Sequence, residues 1–373
     1  MTFDVAVIGG GIVGAACALE CARSGMGVAI IESQIIGGGA TAQGMGHIVV
    51  MDDSDAQFAL TNYSQKLWEA KARDLPADVE YQRCGTIWVA ADEEEMAEVY
   101  RKQQFYEARN VKVEVLDERA LGDAEPNLRK NLAGGLLVKN DSVIYPPCAA
   151  KYFIERAKDK NARLFIGKPV VQISNEQVQL NDGTRIAAKF IVNATGSWSP
   201  ELTPGIEVKK RKGHLLITDR YPDFVRHQLV ELGYLKSAHS LTAESVAFNA
   251  QPRKTGQILI GSSRQFGVEH SQVESAMLKR MLARAVEYLP QLGELSAIRS
   301  WTGFRAATPD KLPLIGQSAI SESLWLATGH EGLGITTSTG TAKLLVDQLL
   351  NRASEIPVEP YLPTRQVTEA THD

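Results

Sequence analysis

Asp4-Val5-Ala6-Val7-Ile8-Gly9-Gly10-Gly11-Ile12-Val13-Gly14 is the stretch that decides the fold. A short buried strand runs into a Gly-x-Gly-x-x-Gly turn, and a helical run then extends to Ser24-Gly25. A second apolar run, Val28-Ala29-Ile30-Ile31, finishes on Glu32. Each part has a physical job in a dinucleotide site. Gly9 permits the tight turn, Gly11 lets backbone approach a pyrophosphate, and Gly14 lets helix and strand pack closely. The helix start offers unpaired N–H groups and a positive dipole end to that pyrophosphate. Glu32 can accept both hydroxyls of a ribose, which disfavours a 2′-phosphate. A bare glycine motif is often only a turn, but here the strand, helix and acid that confirm it are present, with small Ala18 and Ala22 on the helix face towards the sheet.

The bulk numbers set the frame. A chain of 373 residues exceeds what one hydrophobic core usually serves, so two domains are expected. Composition is ordinary for a globular protein, 44% hydrophobic and 23% charged, and the net charge of −4 argues against a nucleic-acid partner. No apolar run approaches the ~20 residues of a transmembrane segment. The first strand begins by Phe3 or Asp4 with no basic leader before it, so a cytoplasmic location is expected, with peripheral association at the inner membrane left open. Cys17, Cys21, Cys84 and Cys148 show no Cys-x-x-Cys spacing and read as reduced thiols, and no metal site is expected.

The dinucleotide could be NAD or FAD. The motif's place at the amino terminus favours FAD, as does a second glycine-rich segment, Gly37 to His47, which can run along an extended cofactor towards a ring system. Further on, Asp53-Ser54-Asp55 is a plausible N-cap for a helix within residues 48–80, and Asp92 to Glu95 reads as a solvated first turn. Pro146-Pro147 reads as a boundary, followed by a helix from Ala149 to Lys160, and Asn181-Asp182-Gly183 as a hairpin turn. The basic run Val208 to His214 reads as a domain-crossing strand with a solvated face. Near the carboxyl end, Thr328 to Ile335 is another glycine-rich strand-to-helix turn, whose free helix N-terminus suits negative charge on a reduced flavin.

Several of these motifs together resemble the D-amino-acid oxidase/glycine oxidase superfamily. They are Gly9 to Gly14 with Glu32, Gly44-Met45-Gly46, Val192 to Gly196, Trp301-Thr302-Gly303-Phe304-Arg305 with Thr308-Pro309-Asp310, and Gly329-His330-Glu331-Gly332. In detail they look most like the flavin subunits of bacterial amine dehydrogenases, of the hydrogen cyanide synthase, opine oxidase and D-hydroxyproline dehydrogenase types. The resemblance implies an α/β fold: a Rossmann-like FAD domain with a three-layer sheet (residues 1–82, 140–210 and 300–373), and an α+β substrate domain with a mixed, largely antiparallel sheet (83–139 and 211–299). It implies oxidation of a C–N bond in an amine or amino acid, with a partner subunit or a quinone among the candidate electron acceptors.

By position it also implies cofactor contacts. These are Gly9, Gly11, Ile12, Val13, Gly14, Glu32 and Ser33 in the first turn, and Ala40, Thr41, Gln43, Gly44, Met45 and Gly46 in the second segment. Val171 would contact the adenine side, followed by Thr195, Gly196 and Trp198, then Arg305, and Gly332, Leu333, Gly334, Ile335 and Thr336. Arg305 would clamp a substrate carboxylate, with an ion pair between domains as its alternative reading. His47, His330 and Glu331 complete the candidate catalytic set. Relatives with covalent flavin carry a Cys around Thr308 to Leu314; this chain has none there, so non-covalent FAD is expected. Two departures bear on substrate. Glu331 stands where glycine oxidase places a second Arg, to meet a cationic group or to cap a helix, and Phe248 or a neighbour replaces an aromatic hydroxyl.

Overall fold

The computed structural model describes residues 1–233 and 244–366. The chain divides into two compact units, one of Met1–Val79, Tyr145–Lys210 and Phe304–Asp373, the other of Glu80–Ile144 and Arg211–Gly303.

In the first unit, the opening sequence forms β1 (Thr2–Ile8), α1 (Ile12–Arg23) and β2 (Val28–Glu32). The central sheet has the order Leu314–Gln317, Leu324–Thr328, Arg185–Asn193, β1, β2, Arg163–Ile166. Every neighbour pair is parallel except the edge pair 314–317 with 324–328. Parallel strands are covered on both faces and therefore read as unbroken apolar runs, as Val5 to Ile8 and Val28 to Ile31 do. Helix α1 packs against both Pro146–Lys158 and Gly334–Leu349, and Asp55–Lys71 packs against the latter. A hairpin, Val170–Ser174 and Gln177–Leu180, supplies another layer, setting Val178 and Leu180 against Ala6, Ile8, Ala29 and Ile31. Asn181 to Thr184 turns the chain from that hairpin into the strand Arg185–Asn193, with Gly183 at φ +84°.

Some element limits differ from the sequence expectation. The helix expected within 48–80 spans Asp55–Lys71, because the Ser54 side chain accepts from Gln57 N and fixes the start there. Pro146-Pro147 follows the change of unit between Ile144 and Tyr145 and occupies the first turn of the helix Pro146–Lys158, where missing N–H groups cost nothing, so that helix starts before the expected Ala149.

The second unit is an eight-stranded sheet in the order Ala297–Ala307, Lys209–Thr218, Ile258–Phe266, Glu244–Pro252, Gln228–Glu231, Thr86–Ala90, Gly134–Val138, Val113–Asp117. Only the 228–231/86–90 pair among those registered here is parallel. The helix Ser275–Tyr288 covers one face, where Ile87, Leu229, Phe248, Ala250, Ile258 and Ile260 pack with Met281, Ala285 and Tyr288. Glu93–Glu107 packs on the strands 86–90, 113–117 and 134–138, its acidic first turn capped by the Asp92 side chain.

The basic strand corrects the expectation of a solvated face. Arg211, Lys212 and His214 are buried. Lys212 Nζ donates to Glu274 Oε1 at 2.6 Å, and that bond holds the Glu274 carboxyl below its usual range. His214 Nε2 accepts from Glu274 N at 3.1 Å, and its Nδ1 lies 2.9 Å from Ser263 Oγ. The neutralising partner sits 62 residues away, so the local sequence showed only the charge.

Candidate functional site

The glycine turn is too tight for side chains. Gly9 has φ +111°, and a Cβ there would lie 2.6 Å from Ala194 O. A Cβ on Gly14 would lie 2.0 Å from Gly9 O, so helix and turn touch backbone to backbone. The Glu32 carboxylate is already oriented: Oε2 accepts from Gly10 N at 2.7 Å and Oε1 from Gln34 N at 2.7 Å. Ser33 Oγ lies 3.4 Å from Oε1. At the start of α1, Ile12 N donates to the buried Thr41 hydroxyl at 2.9 Å, which ties the second glycine-rich segment to the first. Gly37 N donates to Gly10 O at 2.8 Å.

Beside this turn, the strand ending at Asn193 is held by side chains. Asn193 Oδ1 accepts from Thr195 N and Oγ1, and its Nδ2 donates to Ser199 O and Thr203 Oγ1. Thr328 Oγ1 donates to Gly196 O at 2.9 Å, and Ser199 Oγ donates to the same carbonyl at 2.7 Å. Asn193, Ser199 and Thr328 were not among the expected site residues. A short polar residue at each strand end was the signal available.

The carboxyl-terminal turn reaches the same place. A Cβ on Gly334 would meet Val13 of α1 at 3.7 Å and the His330 Cβ at 3.3 Å, and one on Gly44 would meet Ile335 Cδ1 at 2.8 Å. Thr336 Oγ1 donates to His47 O at 2.8 Å, and Trp68 Nε1 donates to Thr336 O. Ala306 and Glu331 form an antiparallel bridge, Glu331 N donating to Ala306 O at 2.9 Å. Arg305 therefore lies opposite Gly332, whose Cβ position is 3.6 Å from Arg305 Nε. The helix Gly334–Leu349 begins after Leu333 with no side-chain cap, so Glu331 does not cap it. Glu331 instead holds φ +52°, a conformation that favours glycine.

Both candidate histidines are neutral. Burial pushes His47 and His330 down to about 3. His330 Nε2 is 2.9 Å from Thr341 Oγ1, while His47 Nε2 is enclosed with no hydrogen-bond partner. Val171 is 56% exposed on the outer hairpin, and the Trp198 ring edge lies against Gly39 of the second glycine-rich segment. Ala40, Gln43, Met45 and Gly46 lie in the segment that Thr41 and Gly44 anchor. In the second unit, the Phe248 ring stacks on Tyr288 at 4.6 Å beneath the helix Ser275–Tyr288, while its neighbour Asn249, beside core-facing Ala250, occupies the opposite sheet face. Among the described residues no group of His, Cys, Asp or Glu could hold a metal ion, and no helix is long and apolar enough to cross a membrane.

Comparisons with known proteins agree on one family. The sequence pattern described as FAD dependent oxidoreductase (DAO) matches residues 4–348. Glycine oxidase of Geobacillus kaustophilus is 27% identical over 376 residues, covering 98% of this chain and 97% of the relative. The hydrogen cyanide synthase subunit HcnC of Pseudomonas aeruginosa is also 27% identical, over 98% of this chain and 96% of its own length. The crystal structure of the Geobacillus kaustophilus glycine oxidase superposes with a TM-score of 0.89 at 25% identity, covering 98% of this chain and all of that one. The L-proline dehydrogenase from P. horikoshii shares the fold at a TM-score of 0.87. The residues present fit a flavin dinucleotide: turn glycines with no room for Cβ, a long helix with an uncapped N-terminus, and an enclosed His47 Nε2 without a protein partner. The chain belongs to the FAD-dependent oxidoreductase family that includes glycine oxidase.

Proposed function

We propose that this enzyme oxidises the C–N bond of an amino acid or related secondary amine to an imine, which water then hydrolyses. FAD, when bound, supplies the hydride acceptor at flavin N5. The observation that carries the reading is the Ala306–Glu331 bridge, which sets the Arg305 side chain across from Gly332 and just before the uncapped helix Gly334–Leu349. A forked guanidinium there can grip a substrate carboxylate and so orient the α-carbon. The helix terminus faces negative charge favourably, which suits the pyrimidine end of a reduced flavin.

His47 and His330 act as neutral polar groups in this reading, because an imidazole held to about 3 is a weak proton acceptor at neutral pH. Glu331, beside the clamp, is assigned to a cationic part of the substrate. The remaining expected contacts, including Val171 on the adenine side and Trp198 beside Gly39, are assigned to FAD. The second unit is assigned to substrate binding. The cofactor is held without a covalent bond, in keeping with four cysteines at 17, 21, 84 and 148, all remote in sequence from 308–314. Names of relatives support amine chemistry: glycine oxidase, L-proline dehydrogenase and iminodiacetate oxidase.

A second reading rests on the match to a hydrogen cyanide synthase subunit. In it the chain works only with a partner subunit that completes the site or removes electrons. Purified protein with FAD, mixed without oxygen with glycine, sarcosine, prolines and D- and L-amino acids, separates the two. Bleaching of the flavin band by one class supports autonomous oxidation, and bleaching that occurs only with a partner present supports the second reading. Readmitting air then tells oxidase from dehydrogenase.

A further inference from the structure

Three loops of the second unit enclose a cavity of about 640 Å³. They are residues 81–83, 222–226 and 252–256, and every wall residue belongs to that unit. The sheet topology brings them together. The parallel strands Thr86–Ala90 and Gln228–Glu231 both begin there, and Glu244–Pro252 ends there before the turn into Ile258–Phe266.

Each loop is fastened by the protein itself. Gln82 N donates to Val143 O at 3.0 Å, and Ser142 Oγ donates to the Tyr81 hydroxyl at 3.1 Å. Arg226 N and His227 N donate to the enclosed Glu125 carboxylate at 3.0 and 2.6 Å, and Asn127 Nδ2 donates to Phe224 O. Gly256, at φ +85°, donates from its N to Arg253 O, and its carbonyl accepts from Tyr221 N at 2.7 Å, which ties the second loop to the third. A cavity with walls held this way is pre-formed, and its 640 Å³ falls within the roughly 300–1,000 Å³ of small-molecule sites.

Charge is the cavity's second feature. Arg83, Arg226, Arg253 and Lys254 line it, against a single acid, Asp223. Glu80 matches Arg253, accepting from Nε at 2.9 Å and Nη2 at 2.7 Å, so on the walls three cations face one carboxylate. The surplus is local, because the whole chain carries a net charge of −4. A cleft walled by one sign of charge concentrates the opposite ion. The rest of the wall includes the Tyr81 ring and the apolar surfaces of Pro222, Val225 and Pro252.

We infer that this cavity binds a small organic phosphate, a monoester that also carries hydroxyls, such as a sugar phosphate or a mononucleotide. Guanidinium forks suit phosphate oxygens two at a time, and a lysine adds a point charge. Asp223 is the acceptor for the ligand's hydroxyls, and the tyrosine and proline surfaces suit its ring. A neutral ligand would gain nothing from the cationic surplus. A nucleic acid needs an extended basic face, whereas these cations wall one cavity in an acidic chain. The inference goes beyond amine oxidation and does not rest on it, because binding alone is read.

The test uses the full chain saturated with FAD, so that added phosphates meet no empty dinucleotide site. Ribose 5-phosphate, AMP, inorganic phosphate and citrate are titrated by calorimetry, with thermal unfolding alongside. One equivalent of an ester is expected to bind and raise the melting temperature, at least about 10-fold tighter than inorganic phosphate because its ring buries apolar surface. Lys254→Glu, at an exposed position, should weaken ester binding roughly 10- to 100-fold. Arg226→Ala, whose guanidinium contacts the Asp123 carbonyl at 3.4 Å, should act in the same direction and serves if the first variant does not fold. Lys160→Glu, exposed on the first unit, changes net charge equally and should leave binding unchanged. No saturable binding, equal weakening by Lys160→Glu, citrate bound in place of the esters, or an ester no tighter than inorganic phosphate overturns the inference. Capture on phosphatidylglycerol vesicles without binding of the free esters overturns it as well. The amine-oxidising reading stands in each case.

Discussion

Replacing Gly14 with Ala should separate the helix α1 from the glycine turn and empty the enzyme of flavin. The added methyl would start 2.0 Å from Gly9 O, 3.0 Å from Gly9 C and 3.3 Å from the Ala194 Cβ. Two of these neighbours are backbone of the turn itself, so no side chain can swing aside. To reach the shortest spacing that real Cβ atoms show, the helix must back off by about 1 Å. Overpacking of this kind costs about 1–3 kcal/mol where surroundings can yield, and a rigid backbone places it at the upper end. For a unit of this size, 3 kcal/mol corresponds to a loss of roughly 6–12 °C in melting temperature. The same displacement moves Ile12 N away from Thr41 Oγ1 and shifts the helix N-terminus off the dinucleotide's phosphates. The assay is flavin content of the purified variant from its visible spectrum, with thermal unfolding at several FAD concentrations. Gly122→Ala is the control: nothing lies within 4 Å of a Cβ there, so a helix site gains up to about 1 kcal/mol. Full flavin content with an unchanged melting temperature in Gly14→Ala would refute the reasoning.

Three further outcomes are expected. Arg365 forks onto Asp310 at 2.7 and 2.8 Å and also donates to three backbone carbonyls, and this pair holds the Asp310 carboxyl below its usual range. Arg365→Ala should therefore cost about 3–5 kcal/mol, with Arg365→Lys rescuing little of it, as read from thermal unfolding. Glu331→Gly should raise stability by about 1 kcal/mol, because glycine tolerates φ +52°; a fall in melting temperature would show that the Glu331 side chain contributes more than its backbone costs. His47 and His330 have folded values depressed to about 3 from an ordinary 6.5, so the unfolded chain binds more protons between those limits. Stability should be fully present above pH 6.5 and fall as pH drops towards 3, and His47→Gln with His330→Gln should flatten that slope in a melting series.

What the sequence made legible was local. Strand, turn, helix and acid lie within residues 4–32, and each signals its own role, so the dinucleotide turn could be read without tertiary information. The Asn181-Asp182-Gly183 turn was equally self-contained. What could not be read depends on partners distant in the chain. The charges of Lys212 and His214 looked solvated until Glu274 stood beside them. On the strand Glu244–Pro252, Asn249 faces away from the core and Phe248 into it, and only the register against 228–231 and 258–266 decides which residues face where. The basic cavity joins segments at 81–83, 222–226 and 252–256, and no window along the sequence contains it. The Arg305–Gly332 approach likewise follows from one two-residue bridge.

The central claim is tested most directly by anaerobic reduction of the purified, FAD-loaded enzyme with carboxylate-bearing amines, comparing wild type with Arg305→Ala and Arg305→Lys. The account predicts that one amine class bleaches the flavin, and that Arg305→Ala lowers kcat/KM by roughly 100-fold or more while FAD stays bound. It also predicts that the cofactor comes free on denaturation. Protein that takes up no FAD, or a flavoprotein reduced as fast without Arg305 as with it, would contradict the account.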